Sequence, residues 1–213
     1  MGSLYDFARS GATANNSIVP RQTQDVDTQT RFYLKSNVAN ETSKTLFLTW
    51  IGVNDIHDIF IDPILSDNEK QMNIRNVIQT LRAMMSRIYH HGEAYHAILG
   101  LIPIEQLPLF NSLTSLQRRE LQGYVDMFNN QLRQSVTEFN AVTHGLHTYF
   151  IDLHKAYLDL YGDVPPPSED CHGQSNCKDL LWWDEWHPTT KVHKALAEKT
   201  VEALSFWGVI ENM

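Results

Sequence analysis

Cysteine, long apolar runs and excess positive charge are all scarce in this chain of 213 residues. Its 17 basic residues are outnumbered by 25 acidic ones, giving a formal net charge of -8. No overall positive field can therefore hold a phosphate backbone, and we expect no nucleic-acid partner. No apolar run approaches the roughly 20 residues that cross a bilayer, so we expect no membrane span. Length and a hydrophobic content of 42% predict a single domain over residues 1–213.

The amino terminus, MGSLYDFARSG, lacks the basic start and the apolar run of a signal peptide. Either the protein is cytosolic or its true beginning is missing. The only cysteines, Cys171 and Cys177, favour the second interpretation, because they lie close together in a loop rich in proline and serine. A disulfide there would stabilise the chain by about 2 kcal/mol and stiffen the segment that follows. Two free thiols are the alternative, and the spacing does not match a zinc site.

Two N-glycosylation sequons, at Asn15 and Asn40, also fit a secreted chain, although sequons occur by chance. We therefore predict an extracellular protein whose signal peptide is not present in this sequence.

Strand-like and helical patterns alternate along the chain. SLYDFA is a short strand-like run, and TLFLTWIG, HAILGLIP and HTYFIDLH have the length and composition of strands buried on both faces. Between them, apolar residues recur at helical spacing in two stripes, the first behind a capping box at Ser66–Glu69 and the second behind one at Thr114–Gln117. A last helix follows Pro188, with Thr189 as its cap. The alternation predicts an α/β fold with a parallel sheet covered by helices on both faces.

Three motifs follow predicted strands, where a parallel sheet places its functional residues. RSGATANN contains Gly11, which allows a tight turn with an accessible amide, although most such glycines only solve a backbone problem. GVND contains Asn54, whose amide could donate to an oxyanion or could simply bond its own backbone in a turn. In DEWHP, three residues separate Asp184 from His187, so the carboxylate can hold the imidazole Nδ1 hydrogen and leave Nε2 as a base. A capped turn is the alternative for that spacing.

The order of GxND and then DxxHP on one parallel sheet resembles the GDSL or SGNH family of esterases and acylhydrolases. Three segments, YDFARSGATANN, TLFLTWIGVNDI and WWDEWHPTTKVH, are most similar to fungal secreted acetyl esterases of carbohydrate esterase family 16. The resemblance implies a three-layer, flavodoxin-like fold. It also implies that the Gly11 amide and Asn54 side chain are oxyanion donors, that His187 is the general base and that Asp184 orients it. No metal or other cofactor is implied.

One part of the family pattern is missing. The Gly-Asp-Ser-Leu motif that supplies the serine nucleophile should lie tens of residues before Gly11, where this chain has only ten. Ser3, Ser10 and Ser17 are poorly placed to replace it. We therefore predict a domain truncated at its amino terminus, without its first strand or nucleophile, that is nearly inactive on esters.

Two hypotheses about function follow. The first is an ester hydrolase of the acetyl or carbohydrate esterase type, a monomer acting on a small ester or acetylated oligosaccharide, seen here without its nucleophile. The second is a non-catalytic carbohydrate-binding or interaction protein derived from such an esterase. His57, just after GVND, is a candidate for the pocket lining, as are several tryptophans, which could instead be core.

Overall fold

The structure is a computed structural model that describes residues 4–36, 45–91, 94–143, 148–163, 171, 177 and 179–209. Ser3 and the sequon at Asn40 lie outside the described residues, as does most of the loop between the two cysteines.

In the part of the chain that the structure describes, three strands form a parallel sheet in the order β1, β2, β3. They are β1 (Thr45–Trp50), β2 (Ala94–Leu99) and β3 (Thr148–Ile151). The β1–β2 register is given by Thr45 opposite Ala94 and Trp50 opposite Leu99. Strands that run in one direction need crossover connections, which bring their carboxyl ends to the same edge. The predicted α/β class with a parallel sheet is confirmed.

The described residues form six α-helices that connect or flank the strands: α1 (Val26–Lys35), α2 (Val53–Ile61), α3 (Asp67–His91), α4 (Ser115–Val142), α5 (Leu153–Tyr161) and α6 (Thr190–Phe206). Two short 3-10 helices, Ile104–Gln106 and Pro108–Phe110, lie between β2 and α4. Among the helices of these described ranges, none is long and apolar enough to cross a membrane.

The capping box predicted before α4 forms with both of its bonds, and the one predicted before α3 forms through the Glu69 side chain. At the start of α4, the Thr114 amide donates to Gln117 Oε1 at 3.0 Å, and the Gln117 amide donates back to Thr114 Oγ1 at 3.3 Å. Before α3, the amide and hydroxyl of Ser66 both donate to Glu69 Oε2, at 2.8 and 2.6 Å. These bonds satisfy donors that a helix end leaves free, and they fix where each helix begins.

The chain consists of two compact units. The first unit comprises residues 1–99 and 127–150, and the second comprises residues 100–126 and 151–213. The predicted stripe of α3 lies wholly in the core of the first unit, where Ile74, Val77, Ile78, Leu81, Met85 and Ile88 are buried. In the second unit the largest fully buried side chains include Tyr157 and Trp182. The single-domain assignment stays a prediction.

Two strand predictions were wrong in detail. Residues 4–8 of the SLYDFA run form no strand, and Phe7 instead packs edge-on against Tyr33 of α1 with ring centroids 5.6 Å apart. β1 is not buried on both faces, because Leu48 in its middle is 57% exposed. Within the described ranges β1 lies at the end of the sheet, so its apolar composition reflected strand propensity rather than complete burial.

Candidate functional site

Gly11 forms the tight turn that the sequence predicted. Its φ of +73° lies in the left-handed region that glycine adopts without strain. The turn is closed by the Ala12 amide, which donates to the Arg9 carbonyl at 3.2 Å. The three residues after Gly11 are buried, so the turn is anchored on its carboxyl side.

Asn54 lies in the first turn of α2, directly after β1 and the cap residue Gly52. Its Nδ2 donates to the Ala12 carbonyl at 2.8 Å, a contact across 42 residues. The Asn54 side-chain nitrogen thus bonds a distant backbone carbonyl rather than its own backbone. A primary amide nitrogen carries two hydrogens, and the bond to Ala12 orients the second one. The structure thus brings Asn54 next to the Gly11 turn.

Asp55, the next residue of α2, also bonds the segment that follows the Gly11 turn. Its Oδ1 and Oδ2 lie 3.0 and 3.3 Å from the Ala14 amide, and its side chain is fully buried. Burial raises the pKa of Asp55 to about 7, against the opposing effect of the Ala14 bond. Asn54 and Asp55 together fasten residues 12–14 to the start of α2.

His187 and Asp184 form the predicted pair in the second unit. The His187 Nδ1 lies 2.9 Å from both carboxylate oxygens of Asp184. Asp184 Oδ1 also accepts from the amides of Trp186 at 2.8 Å and of His187 at 2.7 Å. Desolvation raises the pKa of Asp184, but these hydrogen bonds outweigh it and hold that pKa below its usual value. The His187 side chain is 68% exposed, so the ring is fixed at Nδ1 while it remains open to solvent.

A small hairpin carries this pair. Trp182 and Pro188 form an antiparallel bridge, and the Trp183 amide donates to the His187 carbonyl at 2.7 Å. Trp182 is fully buried and packs near Tyr157, so it belongs to the core rather than to a sugar-stacking surface. Trp183 is 53% exposed.

The disulfide lies against the same hairpin. Cys171 and Cys177 are bonded with their Cα atoms 5.3 Å apart, and the Cys171 amide donates to the Trp182 carbonyl at 3.0 Å. Thr189 occupies the predicted cap position of α6, but its hydroxyl donates to the Leu180 carbonyl at 3.1 Å instead of capping the helix. Both contacts hold the base of the hairpin.

No group of three or more histidine, cysteine or acidic side chains suited to a metal ion occurs in the part of the chain that the structure describes. Of the predicted site residues, Gly11 and Asn54 lie together in the first unit, and Asp184 and His187 lie together in the second.

Comparison with known proteins identifies the family. The model of the GDSL-like lipase/acylhydrolase family matches residues 1–200, which is nearly the whole chain. The chain belongs to the GDSL-like lipase/acylhydrolase family. Its relatives include an acetylesterase of Thermothelomyces thermophilus, 26% identical over 215 residues, with 93% of this GDSL-like chain and 68% of the relative aligned.

Two further relatives show the breadth of the family. An acetylesterase of Hypocrea jecorina is 22% identical over 260 residues, covering 95% of this chain and 73% of its own length. A GDSL esterase/lipase of Arabidopsis thaliana is 22% identical over 177 residues, covering 76% of this chain and 52% of its own length.

Sequence reasoning missed the polar residues that support the Gly11 turn. Asp55 stands inside the quoted GVND motif, and its place beside Asn54 was a signal that could have been used. Arg21 and Asp58 pair across 37 residues, and nothing in their local sequence predicts that contact.

Proposed function

We propose that this GDSL-like chain carries the site of an ester hydrolase of the acetylesterase type, whose reaction is acyl transfer, but lacks its own serine nucleophile. The observation that carries the proposal is the His187–Asp184 pair, in which an exposed imidazole is held at Nδ1 by both carboxylate oxygens. Family membership and the two acetylesterase relatives support the reaction class.

The Gly11 amide and the Asn54 Nδ2 are the proposed donors to the oxyanion of the tetrahedral intermediate. Gly11 has no side chain of its own to cover that amide. Asn54 is oriented by its bond to the Ala12 carbonyl, so its second hydrogen needs no reorganisation during reaction. Donors that are already oriented in this way are usually the largest source of catalytic stabilisation.

His187 is the proposed general base. With its Nδ1 hydrogen directed at Asp184, Nε2 accepts the proton of the attacking hydroxyl and later returns one to the departing alcohol. Asp184 remains ionised at neutral pH because its pKa is lowered. Desolvation acts to raise that pKa, but the bonds from His187 and nearby amides outweigh it. Asp184 therefore stabilises the imidazolium that forms in between.

The nucleophile is the part of the site for which we propose no residue of this chain. Ser10 is an exposed member of the turn itself, and the Ser17 amide is engaged in a local turn with Asn15 Oδ1 at 2.8 Å. Loss of a catalytic serine costs on the order of a millionfold in turnover. We therefore expect this chain alone to leave esters intact.

The proposed substrate is a small ester or an acetylated oligosaccharide, taken up by a monomer without a cofactor. The exposed Trp183 beside the His187 hairpin supports a sugar, since an aromatic face can stack on a pyranose ring. The Cys171–Cys177 disulfide supports secretion, because disulfides persist in oxidising compartments.

A fluorophosphonate reagent, which attaches to activated serines, tests the missing nucleophile. We expect no labelled serine by peptide mass mapping, and no hydrolysis of p-nitrophenyl acetate beyond the buffer rate. A labelled serine, with hydrolysis that His187→Ala abolishes and the exposed-site control His90→Ala retains, would show that the nucleophile is present and leave the ester hydrolase assignment intact.

Binding tests the remaining site. We expect a methyl glucoside carrying one acetyl ester to bind at millimolar concentration, as followed by NMR titration, and Asn54→Ala or His187→Ala to weaken that binding. Lack of binding by the unsubstituted chain would contradict the ester site itself.

A further inference from the structure

Arg21 is held rigidly beside the Gly11 turn. Its Nε and Nη2 donate to Asp58 Oδ2 and Oδ1, both at 2.7 Å, so two parallel bonds fix the plane of the guanidinium. The Asp58 bond raises the pKa of Arg21. Desolvation acts to raise the pKa of Asp58, but bonds from Arg21 and His57 outweigh it and lower that pKa. The ion pair therefore persists over the physiological pH range.

The third nitrogen of this guanidinium faces the space above Gly11. A Cβ built on Gly11 would lie 3.9 Å from Arg21 Nη1, with Thr23 as its next neighbour at 4.0 Å. The side chain of Arg21 is 30% exposed, and its Nη1 makes no hydrogen bond within the described residues of the first unit. Two N–H donors are therefore available where the proposed oxyanion amide lies.

The charge around Arg21 indicates what those donors suit. Asp58 neutralises the guanidinium and also lies 2.7 Å from His57 Nδ1, and the fully buried Asp55 is a further acidic neighbour of Arg21. His57 follows Asn54 by three residues on α2, which places both on the same face of that helix. Because Asp58 balances its charge, the Arg21 guanidinium favours neutral oxygen acceptors over a free carboxylate. A carboxylate would also be repelled by these acidic residues.

We propose that Arg21 is a specificity-determining residue whose Nη1 donates hydrogen bonds to hydroxyl oxygens of the carbohydrate that carries the ester. The inference rests on the proposed function, since it takes Gly11 as an oxyanion donor. It adds a residue that recognises the alcohol portion of that substrate, a neutral, hydroxyl-rich ring next to the acyl group. Asp58 is the positioning residue that holds Arg21 in place.

Two acetyl esters that differ only in hydroxyl groups test this role. Dissociation constants are measured by NMR titration for a methyl glucoside carrying one acetyl ester and for cyclohexylmethyl acetate, which has the ring and the ester but no hydroxyls. We expect Arg21→Met to weaken glucoside binding about tenfold and to change cyclohexylmethyl acetate binding less than about twofold, as for loss of a charged hydrogen bond.

Two further variants make the result decisive. Arg31→Met removes an exposed arginine of the same unit, paired with Asp27, and should leave both dissociation constants unchanged. Arg21→Lys retains the charge but not the planar fork, and we expect it to weaken glucoside binding as Arg21→Met does. If Arg21→Met loses its native circular dichroism spectrum, the Arg21→Lys titration decides instead.

Each outcome has one meaning. Glucoside binding that neither Arg21 variant changes overturns the role of Arg21 and leaves the proposed function standing. An equal loss for both esters overturns it too, because a structural role alone would give that pattern. Lack of glucoside binding by the unsubstituted chain overturns both proposals, whereas a selective loss with Arg21→Met supports this one.

Discussion

Asp184 shows how one side chain can set both a backbone and a ring. Its carboxylate accepts from two amides that follow it and from the imidazole of His187, all within 3 Å. The amide bonds form the turn, and the turn brings the ring within reach, which is why a spacing of three residues suffices. From the sequence, a capped turn and an oriented histidine were alternatives. In the structure, the same Asp184 carboxylate forms both.

Removing this carboxylate should change the tautomer of His187. We expect the neutral ring to carry its hydrogen on Nδ1 in the unsubstituted chain, because Asp184 accepts it there, and to shift toward the Nε2 form in Asp184→Ala. Imidazole ¹⁵N chemical shifts at pH 9 measure the tautomer directly. The exposed Asp179→Ala is the control, and an unchanged tautomer in Asp184→Ala would contradict the proposed orienting role.

At the scale of elements, long helices were the most predictable part. The α4 stripe is buried at every position named by its helical spacing: Leu121, Tyr124, Phe128, Leu132, Val136 and Phe139. Such a stripe extends over many turns, so its period stands out from chance. The shorter α1, α2 and α5, of nine or ten residues each, were missed because two or three turns give too few repeats.

Contacts distant in sequence were also beyond prediction. The motif GVND could be quoted, but its α2 conformation and the bond from Asn54 to Ala12 depend on a turn 42 residues away. SLYDFA has the composition of a strand, but a strand also requires a neighbouring strand to pair with. Residues 4–8 form no strand.

Gly52 joins β1 to α2, and we predict that it cannot be replaced. Its φ is +119°, and an added Cβ would lie 2.6 Å from Cζ of Phe128, a fully buried ring of α4. Gly52→Ala should therefore lower the free energy of unfolding by about 3 kcal/mol or more, through backbone strain and overpacking. The Phe128 ring fills the space beside this glycine.

Gly123 provides the matched control, measured by the same urea denaturation. It lies within α4, and an added Cβ there meets nothing within 4 Å. Gly123→Ala should stabilise the chain by about 0.5–1 kcal/mol, because alanine is the better helix former. If the two substitutions had similar effects, the close approach of the Phe128 ring would not be the reason that position 52 requires glycine.

At the scale of the whole molecule, each unit buries one carboxyl group that favours acid conditions. Burial raises the pKa of Asp55 in the first unit and of Glu105 in the second to about 7. Both are protonated when folded but ionised when unfolded between their ordinary values and about 7, so stability falls as pH rises through that window. Buried His96, whose pKa desolvation lowers to about 3, acts oppositely, losing stability as pH falls from 6.5.

Above about pH 6.5 the histidine no longer titrates, so the two carboxyl groups set the trend there, and stability falls as pH rises towards about 7. The double variant Asp55→Asn and Glu105→Gln should therefore raise the melting temperature at pH 8 and reduce its fall between pH 5 and pH 8. Asn retains an acceptor for the Ala14 amide. Exposed Asp179→Asn is the control, and an unchanged pH profile in the double variant would contradict the role of burial.

The sheet has a practical consequence for anyone concentrating this protein. β1 pairs on one side only among the described strands, and it carries the exposed side chain of Leu48 along that sheet. An exposed apolar side chain on a strand at the end of the described sheet favours intermolecular pairing. We expect light scattering to show aggregates that grow with concentration, and Leu48→Lys to raise the solubility limit, as gatekeeper charges do.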